Sequence, residues 1–415
     1  MKSQSENSLP PSDLKSTVTQ FALELGFDLV RIASAQEFAQ DRAVTLERLK
    51  AGLMDGLPWY NEARVMRGTK PEELLPGARS IICLGLSYNF DEESSQSALP
   101  ASGKVARYAW VQDYHKVMKR RMREYVDGLT QRLGAPVAAR WYVDDGPMLD
   151  RAAAQRSGLG WFGKNTNILT NSHGSWVFLG QVITDLDLDP DPPLKKTCGD
   201  CVRCIDACPT GAIVAPYVID NTRCISYLTI ENRGPIPREM RPQMQDWVFG
   251  CDICQDVCPV NRKASIAGSI LWSNKQRNPD PREGQQTGES SGPGQTERLD
   301  LVELLHLSEE EFRRRFRGSP ILRAKRVGLQ RNACVALGNR REVAAVPALT
   351  LALFHAEPLV RGHAAWALGQ IGTREAREAL EQGESAEHDA TVLEEIAAAR
   401  LDCSAGTLKI QGTGR

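Results

Sequence analysis

The residues able to do chemistry are concentrated in one short stretch of this chain. Of eleven cysteines in 415 residues, eight fall between Cys198 and Cys258, and only Cys83, Cys334 and Cys403 lie elsewhere. The first run reads Cys198-x2-Cys201-x2-Cys204-x3-Cys208-Pro209, the spacing of bacterial runs that bind [4Fe–4S] clusters and lend their fourth cysteine to the other cluster. The second reads Cys251-x2-Cys254-x3-Cys258-Pro259, one cysteine short, and the isolated Cys224 can complete it. Eight thiolates are the number that two cubanes need. The crossed arrangement gives Cys198, Cys201, Cys204 and Cys258 to one cluster, and Cys208, Cys224, Cys251 and Cys254 to the other. Tight x2 loops aim successive sulfurs at adjacent irons, and the Cys-Pro step ends each loop. Zinc also accepts Cys-x2-Cys pairs. Two Zn(Cys)4 sites, however, do not call for triple x2 spacing or a repeated x3-Cys-Pro, so iron and sulfide are expected. Clustered thiols in a reducing compartment point the same way. The remaining three cysteines read as small buried or incidental residues.

Three other segments carry candidate chemistry. In WYVDDGPMLDR, Asp144 and Asp145 end an apolar strand before a Gly-Pro turn and a helix start. A carboxyl there can face a ligand cleft and hold a proton for delivery, or simply cap the helix and shape the turn. The run from Gly158 to Asn165 (GLGWFGKN) fits G-x-G-x-x-G and nearly fits a P-loop. Nucleotide binding fails on context, because a helical pattern precedes it and Asn165 stands where magnesium needs Ser or Thr. These glycines instead let backbone pass close to a bulky flat ligand, or cap a helix. Residues 106–120 gather Tyr108, Trp110, Tyr114 and His115 with basic residues, as a cofactor wall or as core aromatics.

The elements that must position these groups fall into several blocks. Apolar periodicity predicts a helix over residues 12–25 and strands at FDLVRIA and SIICLGLSY. Further helices are expected at DYHKVMKRRMREYVDGLTQRL and LDRAAAQRSG, with strands at ARWYVD and SWVFLGQVIT. Alternation of this kind over residues 1–190 predicts an α/β (α+β) domain. The Pro/Asp-rich DLDLDPDPPLKK marks a boundary to a cysteine module over 191–272, and residues 273–298, polar and rich in Gly and Pro, read as an exposed linker. Beyond it, RNACVALGN (331–339) and GHAAWALGQ (362–370) align at an offset of 31 residues. That repeat predicts stacked helical hairpins of the HEAT kind over 299–415, packed on the preceding module.

Charge is the last signal. The formal net charge is −1, so a polyanion can be attracted only by local asymmetry. Such asymmetry exists between Phe312 and Arg341, where ten Lys or Arg occur without one Asp or Glu. Arg323, Lys325, Arg326 and Arg331 belong to it. The run suits a phosphate backbone, and it also suits a plain solvated helix face. With 25% charged and 41% hydrophobic residues, no apolar run of the roughly 18–20 residues a membrane span needs, and no signal-peptide core at the N-terminus, a cytoplasmic protein away from membranes is expected.

Taken together, RYAWVQDYHKVMKRRM, YVDDGPMLDRAAAQRSGLGWFGKNTNIL, GSWVFLGQVIT, CGDCVRCIDACPTGAI, RCISYLTIENRGPIP, FGCDICQDVCPVNR and RNACVALGN resemble the epoxyqueuosine reductases over nearly the whole chain. The resemblance implies a cobalamin- and [4Fe–4S]-dependent enzyme that reduces the epoxide of epoxyqueuosine at the tRNA wobble position to queuosine. It also implies a cobalamin domain like that of reductive dehalogenases and a HEAT-like tail that binds tRNA. By the same resemblance Asp144 is the proton donor, the eight cysteines hold two [4Fe–4S] clusters, and Arg67, Asp144, Gly163, Lys164, Asn165, Thr166 and Ser226 line the cobalamin pocket. The chain departs from relatives at Asp145, where a small hydroxyl residue is usual. A second carboxylate there would help the pair retain a proton if both faced the cleft, although neighbouring strand side chains point to opposite faces. A monomer fed by an external low-potential electron donor is expected. Two other classes remain open at this point: an iron–sulfur electron carrier with an interaction tail, and a cobalamin-dependent reductase of a small molecule.

Overall fold

A computed structural model describes residues 11–90, 101–266 and 297–411. Its first half is built on four strands in the order Leu29–Ser34, Ser80–Ser87, Val177–Thr184, Ala139–Tyr142. Every neighbouring pair is antiparallel. The expected helices form at Pro11–Glu24, Tyr114–Leu133 and Asp150–Arg156. Helix Tyr114–Leu133 is capped by the Asp113 side chain at one end and by left-handed Gly134 at the other. Its Met118 and Met122 lie over Gly180 of the sheet, where an added Cβ would fall 2.9 Å from Met118.

The purely antiparallel sheet corrects the α/β half of the predicted class and keeps the α+β half. The misreading has a physical origin. Ser80–Ser87 is buried along its whole length, with helices on both faces, so it reads as the continuous apolar run that usually marks a parallel strand.

A second, three-stranded sheet joins segments far apart in the chain. Ser102–Val105 pairs in parallel with Trp247–Phe249 and antiparallel with Arg298–Asp300. The sequence showed neither Ser102–Val105 nor Arg298–Asp300 as a strand. Consequently the predicted linker 273–298 is corrected at its end: Arg298 is a strand residue whose guanidinium donates to Asp246 at 2.6 Å. The rest of that linker up to residue 296 lies outside the described residues.

The tail is a helical stack in which Lys325–Arg340, Pro358–Ile371 and Ala390–Gln411 form one layer, with Val346–Ala352 and Arg374–Ala386 beside it. The repeat offset seen in the sequence places Gly338 and Gly369 at equivalent points. A Cβ on Gly338 would sit 2.6 Å from the Trp366 ring, and one on Gly369 would sit 2.8 Å from Ala399. Only glycine lets these backbones close to contact. The stack packs on the cysteine module, as expected, through a polar seam. Asn332 donates to the carbonyls of Thr229 and Val248 at 2.8 Å, Asn339 to those of Arg241 and Gln245 at 2.7 Å, and Arg241 pairs with Glu395.

Candidate active site and cysteine groups

The eight clustered cysteines gather in two fours. Burial raises the Cys204 thiol first, and the neighbouring Cys198, Cys258 and Cys201 raise it further. Burial likewise raises Cys258, which feels Cys198 and Cys201. In the second group burial raises Cys224, Cys251 and Cys254. Cys224 then feels Cys208, Cys251 feels Cys254 and Cys224, and Cys254 feels Cys224 and Cys208. Cys254 also feels Cys204, so the two groups are neighbours. Two one-turn helices, Arg203–Asp206 and Ile253–Asp256, follow the x2 loops and pack on each other. By contrast Cys83, Cys334 and Cys403 are buried away from both groups, as the incidental reading expects.

The donor chemistry fits inorganic clusters. Each group holds four sulfurs; the one carboxyl acting on Cys251 and Cys254, that of Asp252, accepts from the Arg107 N–H at 2.6 Å. Cys224, Cys251 and Cys254 keep accessible surface although burial raises their thiols, so they are deep without being packed over. Thiols so raised stay protonated until a metal takes the proton's place. An orphaned donor adds to the fit. Trp161 Nε1–H is buried without a partner, and its ring packs with Cys258 and Cys198, where a cluster sulfur would accept it.

The Gly158–Asn165 run is a turn and a hairpin, with no phosphate loop. Gly158 leaves the helix Asp150–Arg156 at φ +68°, and a Cβ on it would strike the Pro192 carbonyl at 2.2 Å. Trp161–Phe162 then pairs with Ile168–Leu169. Lys164 donates to the Gly199 carbonyl at 2.7 Å, and Asn165 donates to the Cys254 carbonyl at 3.2 Å. Their side chains are thus directed at the cysteine loops. Thr166, at φ +67°, instead accepts from Arg151 at 3.3 Å. Arg151 also sits near Cys224, whose helix start contains half-buried Ser226. Arg67 is exposed on the helix Glu62–Gly68.

Asp144 stands at the centre of the polar groups of the first half. It is exposed, at φ +56°, and accepts from Tyr114 Oη at 3.1 Å. Tyr108 meets the Tyr114 ring edge-on at 6.2 Å. Of the aromatic segment these two rings therefore belong to the site, while Trp110 is core, its Nε1 donating to the Val105 carbonyl at 2.8 Å. Asp145 does not face the same way. It pairs with Lys119 and accepts from its own turn at Val143. Burial would raise its carboxyl, but Lys119 and that N–H outweigh it and hold it below the usual range.

The carboxyl that does neighbour Asp144 is Asp150, which sequence reasoning missed. Burial first, and then the charge of Asp144, push it up to about 8. A helix-start aspartate followed by RAAAQR looks like a routine first-turn acid, and nothing in the sequence reveals its depth. Tyr60 and Arg151 complete the group around the two aspartates.

The basic run is divided by the fold. Arg323 pairs with Glu231, lies over the exposed Trp59 ring at 5.8 Å, and feels Asp144 and Tyr114. Lys325 is exposed. Arg326 is half-buried and donates to Gln330 at 2.9 Å. Arg331 must be corrected as a nucleic-acid contact: it is fully buried, donating to the carbonyls of Asn232, Gly234 and Leu228 at 2.8, 2.7 and 2.6 Å. A charge run gives sign without depth, and this arginine fastens the stack to the cysteine module. Arg331→Ala strands those carbonyls, and we expect a loss of about 3 kcal/mol or more, read by denaturant unfolding. Lys should rescue little, because its single ammonium does not reproduce the planar fork.

Fold and site together define a class: a protein with a cysteine-rich 4Fe–4S binding domain and HEAT repeats. Family models agree, as a 4Fe-4S double cluster binding domain matches residues 197–261, HEAT repeats match 320–400, and the epoxyqueuosine reductase QueG model matches 69–145. An epoxyqueuosine reductase of Xanthomonas campestris is 36% identical over 87% of this chain and 97% of its own. A crystal structure of epoxyqueuosine reductase with a tRNA-Tyr epoxyqueuosine-modified stem loop aligns at TM-score 0.84 and 30% identity, covering 95% of this chain and all of that one. The Bacillus subtilis epoxyqueuosine reductase, solved with its catalytic aspartate loop swung out of the active site, aligns at TM-score 0.82 and 29% identity over 95% of this chain and all of that one. The chain belongs to the epoxyqueuosine reductase family.

Proposed function

We propose that this chain reduces epoxyqueuosine at the tRNA wobble position to queuosine, with two [4Fe–4S] clusters and cobalamin. The observation that carries this reading is the junction at Asp144. An exposed carboxyl on a left-handed turn is oriented by Tyr114 and lies beside Arg323, where the helical stack begins. A proton donor thus stands between the cysteine module and a surface with unburied cations. In this reading residues 1–190 form an α+β cobalamin domain, 191–272 the cluster module and 299–415 the tRNA-binding stack.

Cys198, Cys201, Cys204 and Cys258 would hold one cluster, and Cys208, Cys224, Cys251 and Cys254 the other. The second is the inner one, because Arg151 links Cys224 to Thr166 and the Asp144 group. Cobalamin would be held by Arg67, Asp144, Thr166, Ser226 and the backbone of Gly163 to Asn165. The exposed Trp59 and Met66 near this spot are apolar surface that a broad macrocycle can cover. When bound there it supplies a cobalt centre that works on a carbon–oxygen bond with electrons from an external low-potential donor. The chain's own part is proton delivery and positioning: Asp144 gives its proton to the departing oxygen, Tyr114 holds the carboxyl, and Arg323, Lys325 and Arg326 take phosphates.

The test is anaerobic protein loaded with iron, sulfide and cobalamin, given a strong reductant and epoxyqueuosine-containing tRNA. Nucleoside analysis should find queuosine; none from fully loaded protein overturns the reading. In the same assay Arg323→Ala and Lys325→Ala should each raise KM and flatten the salt slope of tRNA binding by about one.

A further inference from the structure

The net reaction needs more than one proton. Turning an epoxide into an alkene breaks two carbon–oxygen bonds, takes two electrons from the low-potential one-electron donor, and releases the oxygen as water. That water leaves with two protons. Asp144 can give one, at the first cleavage, which leaves an alcohol. The second cleavage expels that hydroxyl and needs Asp144 loaded again.

We propose that Asp150 holds the second proton and passes it to Asp144 between the two cleavages. This rests on the reading of the chain as an epoxyqueuosine reductase. Asp150 touches neither substrate nor cofactor in this scheme and acts only through Asp144. Its placement carries the inference. The carboxyl lies against the backbone N–H groups of Asp144 and of Asp150 itself, beside the exposed acid. Its Oδ1 is buried with no hydrogen-bond partner, and Oε1 of Gln181 is buried with none either. The Gln181 amide lies on this residue, Nε2 donating to the Asp150 carbonyl at 3.5 Å. Two orphaned acceptors so placed lack a donor, and a proton on Asp150 supplies it.

The surrounding groups favour the neutral acid. Asp144 opposes its ionisation, while Arg151 on the same helix favours it. Tyr60 faces it from the loop before Glu62–Gly68. Cys83 faces it from the central strand, its own thiol raised by burial. Of the other strands packed on this helix, Leu29–Ser34 carries only the exposed Arg31, and Val177–Thr184, Trp161–Phe162 and Ile168–Leu169 carry no titratable side chain. Burial tips the balance and pushes the carboxyl up to about 8.

Asp150→Asn in the holoenzyme tests this with two readouts. In infrared difference spectra the wild type should show a neutral carboxylic-acid carbonyl band at pH 7 that fades as pH rises through about 8, and Asp150→Asn should lack it. In single-turnover assays the wild-type rate should fall along the same limb. The variant should lose that limb and run about tenfold or more slower at pH 7, with KM for tRNA and iron content unchanged, and Asp150→Glu should restore part of the rate. An unchanged rate and pH profile in Asp150→Asn, or a band that persists in it, overturns the inference. Failure of the underlying reading looks different: the wild type itself then makes no queuosine.

Discussion

Asp144→Asn should slow single-turnover epoxide removal by about 10²- to 10⁴-fold, the usual contribution of a positioned general acid, while iron content and tRNA affinity stay at wild-type values. Asparagine suits this test because it preserves everything except the proton. Asp144 sits at φ +56°, a region asparagine tolerates at least as well as aspartate and alanine does not. The amide oxygen can still accept from Tyr114 Oη, which now donates at 3.1 Å. The turn itself is fastened elsewhere, through Asp145 to Lys119 and Val143. A loss of rate with intact affinity therefore reports on the proton. Full turnover by Asp144→Asn with clusters and corrin bound would remove the acid assignment.

How far the sequence reached follows from what each signal encodes. Cysteine spacing along the chain is itself the local geometry of a cluster loop, so it carries the iron–sulfur reading without any fold. Periodicity likewise located the helices Pro11–Glu24, Tyr114–Leu133 and Asp150–Arg156 and the long strands, but not the helices Ala39–Lys50 and Glu62–Gly68. Depth and direction were beyond it. Arg331 and Lys325 look alike in a basic run, yet one is buried among carbonyls and the other is exposed. Asp145 could act with Asp144 only if both faced the cleft; the turn sends it to Lys119, and Asp150 is the carboxyl that neighbours Asp144 instead. Tyr114 was one of four undecided aromatic residues, because its hydrogen bond to Asp144 spans 30 positions. The short strands Ser102–Val105 and Arg298–Asp300 have too few residues for a pattern, and they form by pairing across long stretches of chain, with each other and with Trp247–Phe249.

The cysteine groups lead to the second large effect. Cys254→Ser should reduce iron from about eight atoms per chain to about four and cut turnover by more than about 10³-fold with any external donor. Cys254 is the informative choice because its thiol feels Cys224 and Cys208 of its own group and Cys204 of the other, so it stands where electrons would cross. Its carbonyl also holds Asn165 at 3.2 Å, and a serine keeps that bond. Loss of the inner cluster should lower the melting temperature as well, since metal binding energy is folding energy in such modules. Cys258→Ser removes a ligand from the outer group and should cost as much iron. Its turnover should nevertheless survive in part with a small, strongly reducing donor that reaches the inner cluster directly. Equal loss in both variants under that donor would mean that the inner group does not by itself feed the Asp144 site, and the outer-to-inner order drawn from Arg151, Cys224 and Thr166 would be wrong.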